Sequence, residues 1–263
     1  MTLLVLLFLV LRTAAAQDVV KVLAIGNSFS QDAVEQYLHE IAEADGKQLI
    51  IGNMYIGGCS LERHYNNMVN NTADYAYRKI GLDGVKVETG SMTIEKALAD
   101  ETWDYVSLQQ VSGMSGQYDT YEPYLTELIK YVKEKLPKAK LILHQTWAYA
   151  QNSTHSDFAK YDKDQQKMYE AIIDATTNAF KEHEMDLLIP CGTAIQNART
   201  TFIGDNMNRD GYHLNVIHGR YTAACVWYEI LTGKDVRKNK YKNANMTNSQ
   251  ARMSKKAAHK ATH

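Results

Sequence analysis

An aspartate and a histidine three residues apart form a candidate acid–base pair in the segment DGYHLN. Asp210 and His213 stand directly before a strongly apolar, helix-like stretch, HGRYTAACVWYEILTG. An imidazole held by a carboxylate is an oriented general base, and it needs a hydroxyl nucleophile from elsewhere in the chain. Ser28, in the segment GNSFS after an apolar run, is the candidate for that nucleophile. Together the three residues predict acyl transfer through a covalent acyl-enzyme intermediate.

Alternating strand and helix patterns predict how these residues are positioned. Strands are expected at 19–26, 48–58, 103–110, 140–149 and 185–190, with a hairpin or extra strand at 85–93. Helices are expected at 32–46, 60–81, 121–137, 160–184, 215–232 and 247–262. This alternation is typical of βαβ units, so we predict a three-layer α/β/α sandwich with a mostly parallel, flavodoxin-like sheet.

Residues that directly follow strands are the candidate site residues, because ligands of such folds bind beyond the carboxyl ends of the strands. The backbone N–H groups of Ser28 and Gly58 and the side-chain amide of Gln110 are candidate oxyanion donors. Gln109 is the alternative to Gln110, since alternation along a strand points only one of the two toward the site. After the fourth strand, Trp147 and Tyr149 are candidates for stacking on a sugar, although core packing is an equally good interpretation.

These blocks resemble the SGNH (GDSL-like) hydrolases. Gly26-Asn27-Ser28 matches the family's Gly-Asp-Ser-like block, and the glycine donor after its second strand falls on Gly58. The segment from Asp210 to His213 matches its Asp-x-x-His pair before the last helix. The blocks follow the family's order and span residues 19–232, and similar blocks occur in SGNH-type proteins of gut bacteria. The resemblance implies a carboxylic ester hydrolase in which Ser28 is the nucleophile.

The sequence departs from the family pattern at two positions. Asn27 replaces the usual Asp, and the third block ends SLQQVSG without its usual Asn. Sialate O-acetylesterase-like carbohydrate esterases carry a Gln there, which favours Gln110 as donor and implies removal of acetyl groups from carbohydrates. A lipase or thioesterase of the same superfamily and a secreted carbohydrate-binding protein without catalysis are the alternative functions.

Other chemistry lacks sequence support. The chain has no H-E-x-x-H, Walker or G-x-G-x-x-G pattern, so no metal and no cofactor are predicted. The three cysteines, Cys59, Cys191 and Cys225, form no disulfide framework, and Cys225 lies in an apolar helix where a buried thiol is expected. The expected partner is therefore a small-molecule or polysaccharide ester.

The length of the chain favours a single domain, and its N-terminal residues favour a secreted or periplasmic location. Residues 1–16 have the short apolar core and small residues of a signal peptide, which leaves 17–263 as one hydrolase domain of the 263-residue chain. The apolar core is too short to span a membrane. The net charge of −1 suggests no nucleic-acid partner. Residues 234–263, a basic tail or helix, hold nine Lys or Arg and one acidic residue, a run we interpret as a solvated face.

Overall fold

A seven-stranded sheet forms the centre of the computed structural model, which describes residues 19–263. Its strands are β1 (Val19–Gly26), β2 (Gln48–Tyr55), β3 (Tyr75–Ile80), β4 (Lys86–Met92), β5 (Tyr105–Leu108), β6 (Lys140–Gln145) and β7 (Leu187–Pro190). They lie in the order β4-β3-β2-β1-β5-β6-β7. Strands β2, β1, β5, β6 and β7 are parallel to one another. At one edge of the sheet, β3 pairs antiparallel with both β2 and β4. The parallel part has the flavodoxin-like order, which confirms the predicted fold class.

Helices cover both faces of the sheet. They are α1 (Ser28–Val34), α2 (Leu38–Glu43), α3 (Leu61–Val69), α4 (Ile94–Asp100), α5 (Tyr124–Lys135), α6 (Gln165–Glu182), α7 (Cys191–Arg199), α8 (His218–Thr232) and α9 (Asn248–Thr262). Side chains alternate along β1, so Val22 and Ala24 pack in a core with α1, α2 and α8, while Leu23 and Ile25 pack in a second core with α3, α4 and α5. The carboxyl ends of the central strands are thus left free for the loops.

The helix predicted at residues 32–46 is two short helices. The first begins earlier, at Ser28, because the Asn27 side chain accepts a hydrogen bond from the Phe29 N–H and caps it. The break lies at Tyr37, whose φ is 74°. The Tyr37 hydroxyl donates to the Val216 carbonyl at 2.7 Å, so a contact with the distant part of the chain sets the break.

The helix predicted at residues 60–81 is also wrong in its second half. Ser60 caps α3 as expected, but the helix ends at Val69 and the chain turns into β3. In β3, Tyr75 and Tyr77 are buried and alternate with more exposed residues, which is the two-residue period of a strand. The predicted extra strand at 85–93 is present as β4.

The C-terminal basic segment folds against the domain as a helix. Ala251, Met253 and Ala257 of α9 are buried, and α9 packs on α7 and α8. The sequence patterns missed α4 and α7. The predicted signal peptide at 1–16 lies outside the described residues. Within residues 19–263, no helix combines the length and apolar character that crossing a bilayer requires.

A fully buried carboxylate, Asp32, joins α1 to the segment before α8. Its Oδ2 accepts a hydrogen bond from the Leu214 N–H at 2.7 Å. Its Oδ1 lies 2.6 Å from the guanidinium of Arg220, and both oxygens lie 3.1 Å from Arg209 Nη1. Buried charges persist only when they are paired and hydrogen-bonded, and Asp32 meets both conditions. We call this set the Asp32 clamp.

We expect Asp32→Asn to lower the free energy of unfolding by about 3 kcal/mol, because it leaves two arginines without their buried anion. Urea denaturation measures the loss. The matched control is Asp162→Asn, which removes an exposed carboxylate paired with Lys167 at a left-handed position where Asn is tolerated. The control should leave stability nearly unchanged. Equal, small effects of the two substitutions would contradict the clamp.

Candidate active site

Ser28 stands where β1 passes into α1, at the carboxyl edge of the sheet. The turn is tight: a side chain at Gly26 would place its Cβ 2.4 Å from Ser30 Oγ. Ser30 itself is buried, with its hydroxyl 2.7 Å from the Asn27 carbonyl and 2.8 Å from Asn53 Oδ1. Of the two serines in GNSFS, Ser28 is therefore the one that offers its hydroxyl to a ligand.

A cavity of about 340 Å³ opens over this turn, and three of the predicted site residues line it. Ser28, Gly58 and His213 all line it. Its other walls include Tyr55, Val111, Ser112, His155, Asp157 and Tyr212. A larger groove of about 560 Å³ lies between α7 and α9, but its walls carry neither a histidine nor a carboxylate. The smaller cavity is therefore the candidate active site.

The segment from Asp210 to His213 forms a loop closed by a bridge between Asn208 and Leu214. His213 Nδ1 lies 2.7 Å from Asp210 Oδ2, and Asp210 Oδ1 accepts from the Tyr212 and His213 N–H groups. Burial would raise the pKa of Asp210, but these hydrogen bonds bring it below its ordinary value. The carboxylate thus stays ionised and fixes the imidazole, with Nδ1 as the donor nitrogen.

Gly211 lets this loop take its shape. Its φ is 89°, a left-handed conformation that favours glycine, and an added Cβ would lie 3.0 Å from Ser153. Its carbonyl accepts from the Ala150 N–H at 2.8 Å, which docks the loop on the chain after β6.

Gly58 lies in a turn closed by a hydrogen bond from the Cys59 N–H to the Ile56 carbonyl. Its φ is 63°, and open space lies where a Cβ would stand. That turn bond does not use the Gly58 N–H, which makes it a candidate donor at the cavity wall. The neighbouring Cys59 is no rival nucleophile, because burial raises the pKa of its thiol to about 12.

A chain of buried amides holds the Ser28 and Gly58 turns together. His144 Nδ1 donates to Gln109 Oε1 at 2.7 Å, and Gln109 Nε2 donates to Asn27 Oδ1 at 2.9 Å. Asn27 Nδ2 then donates to the Cys59 carbonyl at 2.9 Å. Burial lowers the pKa of His144 to about 3, so the ring stays neutral. An aspartate at position 27 has no N–H for the last bond, which gives the departure from the family pattern a structural role.

Gln110 is not placed to donate into the cavity. Its Nε2 donates to the carbonyl and the hydroxyl of Thr120, at 2.9 and 3.1 Å, while its Oε1 accepts from the N–H groups of Leu61 and Val111. All its hydrogen-bonding capacity is used to tie neighbouring loops together. The alternative, Gln109, is buried, donates to Asn27 and accepts from His144, and it does not line the cavity. The predicted side-chain oxyanion donor is therefore corrected: both glutamines are structural.

The prediction that Trp147 and Tyr149 stack on a sugar is also wrong, because both rings are fully buried. Trp147 stacks on Phe29 at 4.3 Å and donates its indole N–H to the Tyr212 carbonyl at 2.8 Å. It thereby supports both α1 and the Asp210–His213 loop from below. The Tyr149 hydroxyl lies 2.9 Å from Ser112 Oγ, behind the cavity wall.

The sequence patterns missed the polar residues that face the cavity. The Tyr212 ring lies 4.2 Å from that of His213 and 4.8 Å from that of His155. The Asp157 carboxylate packs against Gly113: a Cβ added to Gly113 would lie 2.0 Å from Asp157 Oδ2. Tyr212 was present in the DGYHLN block, but His155 and Asp157 lie at the start of a short 3-10 helix, Ser156–Tyr161, that has no periodic signal in the sequence. These groups give the cavity aromatic and hydrogen-bonding walls.

Distant solved structures share this fold. A proposed SGNH hydrolase from Slackia heliotrinireducens is 21% identical with a TM-score of 0.56, over 81% of this chain and 100% of that one. An acetyl-xylooligosaccharide esterase from Geobacillus is 14% identical with a TM-score of 0.53, over 81% and 94% of the two chains. The fold of the described residues is therefore that of the SGNH hydrolases. No curated protein matches the chain significantly.

One solved structure is far more similar. The crystal structure of a DUF4886 family protein from Bacteroides uniformis is 57% identical, with a TM-score of 0.92 over 93% of this chain and 95% of that one. The family DUF4886, described as a domain of unknown function, matches residues 21–261. This chain belongs to the DUF4886 family.

Proposed function

We propose that this protein is a serine ester hydrolase of the SGNH type, with Ser28 as nucleophile, His213 as general base and Asp210 as its orienting carboxylate. One observation carries the proposal: Ser28 and His213 line the same cavity, and the His213 ring is hydrogen-bonded to the Asp210 carboxylate. The Asp32 clamp supports it, because it ties the helix that begins at Ser28 to the chain around the pair. The SGNH fold supports the same reaction class.

In the proposed reaction, His213 Nε2 takes the hydroxyl proton as Ser28 Oγ attacks the ester carbonyl. The C–O bond to the alcohol then breaks, and the imidazolium returns its proton to the leaving alkoxide. Water cleaves the resulting acyl-Ser28 ester by the same steps, releasing the acid and the free serine. Asp210 remains ionised throughout and stabilises the imidazolium, as its lowered pKa favours.

The negative charge of the tetrahedral intermediates needs donors at the cavity wall. The N–H of Ser28 is in the first turn of α1, where amides have no partner inside the helix. The N–H of Gly58 lies in the adjacent turn. With both glutamines committed elsewhere, we assign the oxyanion hole to these two backbone groups.

Replacing Ser28 by Ala should lower kcat/KM for ester hydrolysis by about 10⁴-fold or more, because the covalent route is lost. Steady-state kinetics on a p-nitrophenyl ester measures the loss, and circular dichroism shows whether the fold is kept. Ser249→Ala, an exposed serine in the first turn of α9, is the control and should keep full activity. Undiminished turnover by the Ser28 variant would show that another group is the nucleophile and would sink the mechanism.

We further propose that the substrate is an acetylated carbohydrate. The cavity is small, and Tyr55, Tyr212 and Asp157 give it the aromatic and hydrogen-bonding walls that suit a sugar better than a long acyl chain. The fold shared with an esterase that acts on acetyl-xylooligosaccharides is consistent with this class of substrate.

Acetyl esters should therefore be cleaved with a higher kcat/KM than octanoyl esters of the same alcohol, because the cavity has little room for a longer chain. A panel of p-nitrophenyl esters, followed by acetylated oligosaccharides, measures the preference. A higher kcat/KM for the octanoyl ester would favour a lipase or thioesterase instead.

A further inference from the structure

A carboxylate and two imidazoles converge where α8 ends against α9. Glu229 lies in the last turn of α8, and His259 and His263 lie one helical turn apart at the end of α9. Glu229 Oε1 is 2.6 Å from His259 Nδ1 and 3.9 Å from His263 Nδ1. One ligand atom from each of the three residues lies within 4.8 Å of the other two. We call them the Glu229 cluster.

The cluster lies near the amino ends of the strands, whereas the candidate active site lies beyond their carboxyl ends. It borders a cavity of about 310 Å³ that is also lined by Leu187, the first residue of β7. Ser28 and His213 lie beyond the carboxyl ends of the strands, whereas Leu187 marks an amino end. Whatever the Glu229 cluster binds, it does not take part in the proposed ester hydrolysis.

One oxygen of Glu229 is left without a partner. The residue is only 4% exposed, and its Oε2 is buried without any hydrogen bond, while Oε1 is the atom that His259 approaches. A buried carboxylate oxygen that lacks a partner is costly, so native structures rarely leave one. A simple ion pair between Glu229 and a protonated His259 would satisfy Oε1 and leave Oε2 without a partner. In the part of the chain that the structure describes, the only hydrogen-bond contacts of His263 Nδ1 are with its own helix, at 3.0 Å from Thr262 Oγ1 and 3.3 Å from the His259 carbonyl.

We propose that the Glu229 cluster binds a divalent transition-metal cation such as Zn²⁺. Residues four apart on a helix share one face, so His259 and His263 can turn their nitrogens to a common point beside Glu229. Two imidazole nitrogens and a carboxylate oxygen suit Zn²⁺ and its neighbours, whereas Ca²⁺ and Mg²⁺ prefer oxygen ligands alone. The cation would neutralise the buried Glu229 carboxylate, whose Oε1 both imidazoles approach and whose Oε2 has no partner.

Asp235 supplies a second carboxylate beside the cluster. Its Oδ1 lies 3.7 Å from His259 Nδ1, and both of its oxygens accept hydrogen bonds from the Arg237 guanidinium. Because Arg237 already holds it, Asp235 adds negative charge beside the cation rather than binding it directly.

The cation would fasten the end of α9 to the end of α8. Glu229 belongs to α8 and both histidines belong to the C-terminal helix, so a shared ion joins two elements that otherwise meet through packing. Since the unfolded chain does not present this arrangement, binding should raise the melting temperature.

Isothermal titration calorimetry of the metal-free full chain with ZnCl₂ tests the site. We expect one Zn²⁺ per chain at neutral pH, and weaker binding at acidic pH because protonated histidines cannot ligate. Zn²⁺ at a hundredfold excess over Kd should raise Tm by about 5 °C. Equilibrium dialysis against Co²⁺ provides an independent measure of stoichiometry.

His263→Gln and His183→Gln form a matched pair of variants. The side chain of His263 is 62% exposed, so its replacement should leave the metal-free Tm unchanged while weakening Zn²⁺ binding by at least about tenfold. His183 pairs with Glu122 at 2.7 Å in the same kind of histidine–carboxylate contact but is not part of the cluster, and its variant should bind Zn²⁺ as the parent does. The site is ruled out if the parent binds no Zn²⁺, or if the two variants bind it equally.

Discussion

The buried carboxylate of Asp32 is the interaction on which the candidate site depends most. Ser28 and the Asp210–His213 pair are about 180 residues apart in the chain, so no local turn fixes the distance between them. Asp32 lies one helical turn after Ser28 and accepts the Leu214 N–H one residue after His213. A displacement of one side moves the other with it, which keeps nucleophile and base in register.

Two further sets of buried contacts hold Ser28 and His213 in place. The Trp147 indole stacks on Phe29 and donates to the Tyr212 carbonyl, so it touches the residue after the nucleophile and the residue before the base. The amide chain that ends at Asn27 fixes the Gly58 turn against the Ser28 turn through the Cys59 carbonyl. The groups that face the cavity are few, and most buried polar residues around them serve to hold these few in place.

The sequence predicted the parallel strands and most of the helices, and it named Ser28, Asp210 and His213 as the candidate catalytic residues, because these depend on local signals. Hydrophobic periods of two and 3.6 residues locate the parallel strands and most helices, and strand ends must meet at one edge of such a sheet. Three features could not be predicted: the helix break at Tyr37, the hydrogen-bond partners of the Gln110 side chain and the burial of Trp147. Each depends on partners that are distant in sequence or lie in neighbouring loops. Gln110 illustrates the limit: alternation suggested which way it points, but only the fold places Thr120 within reach of its amide.

Covalent trapping of Ser28 is the most direct test of the account. The full chain would be treated with a p-nitrophenyl phosphonate, and the modified peptide would be identified by mass spectrometry, in parallel with His213→Ala. The account predicts one phosphonyl group per chain, on Ser28, and strongly slowed labelling in the variant because no base activates the hydroxyl. Labelling at another residue, or equal rates with and without His213, would contradict it.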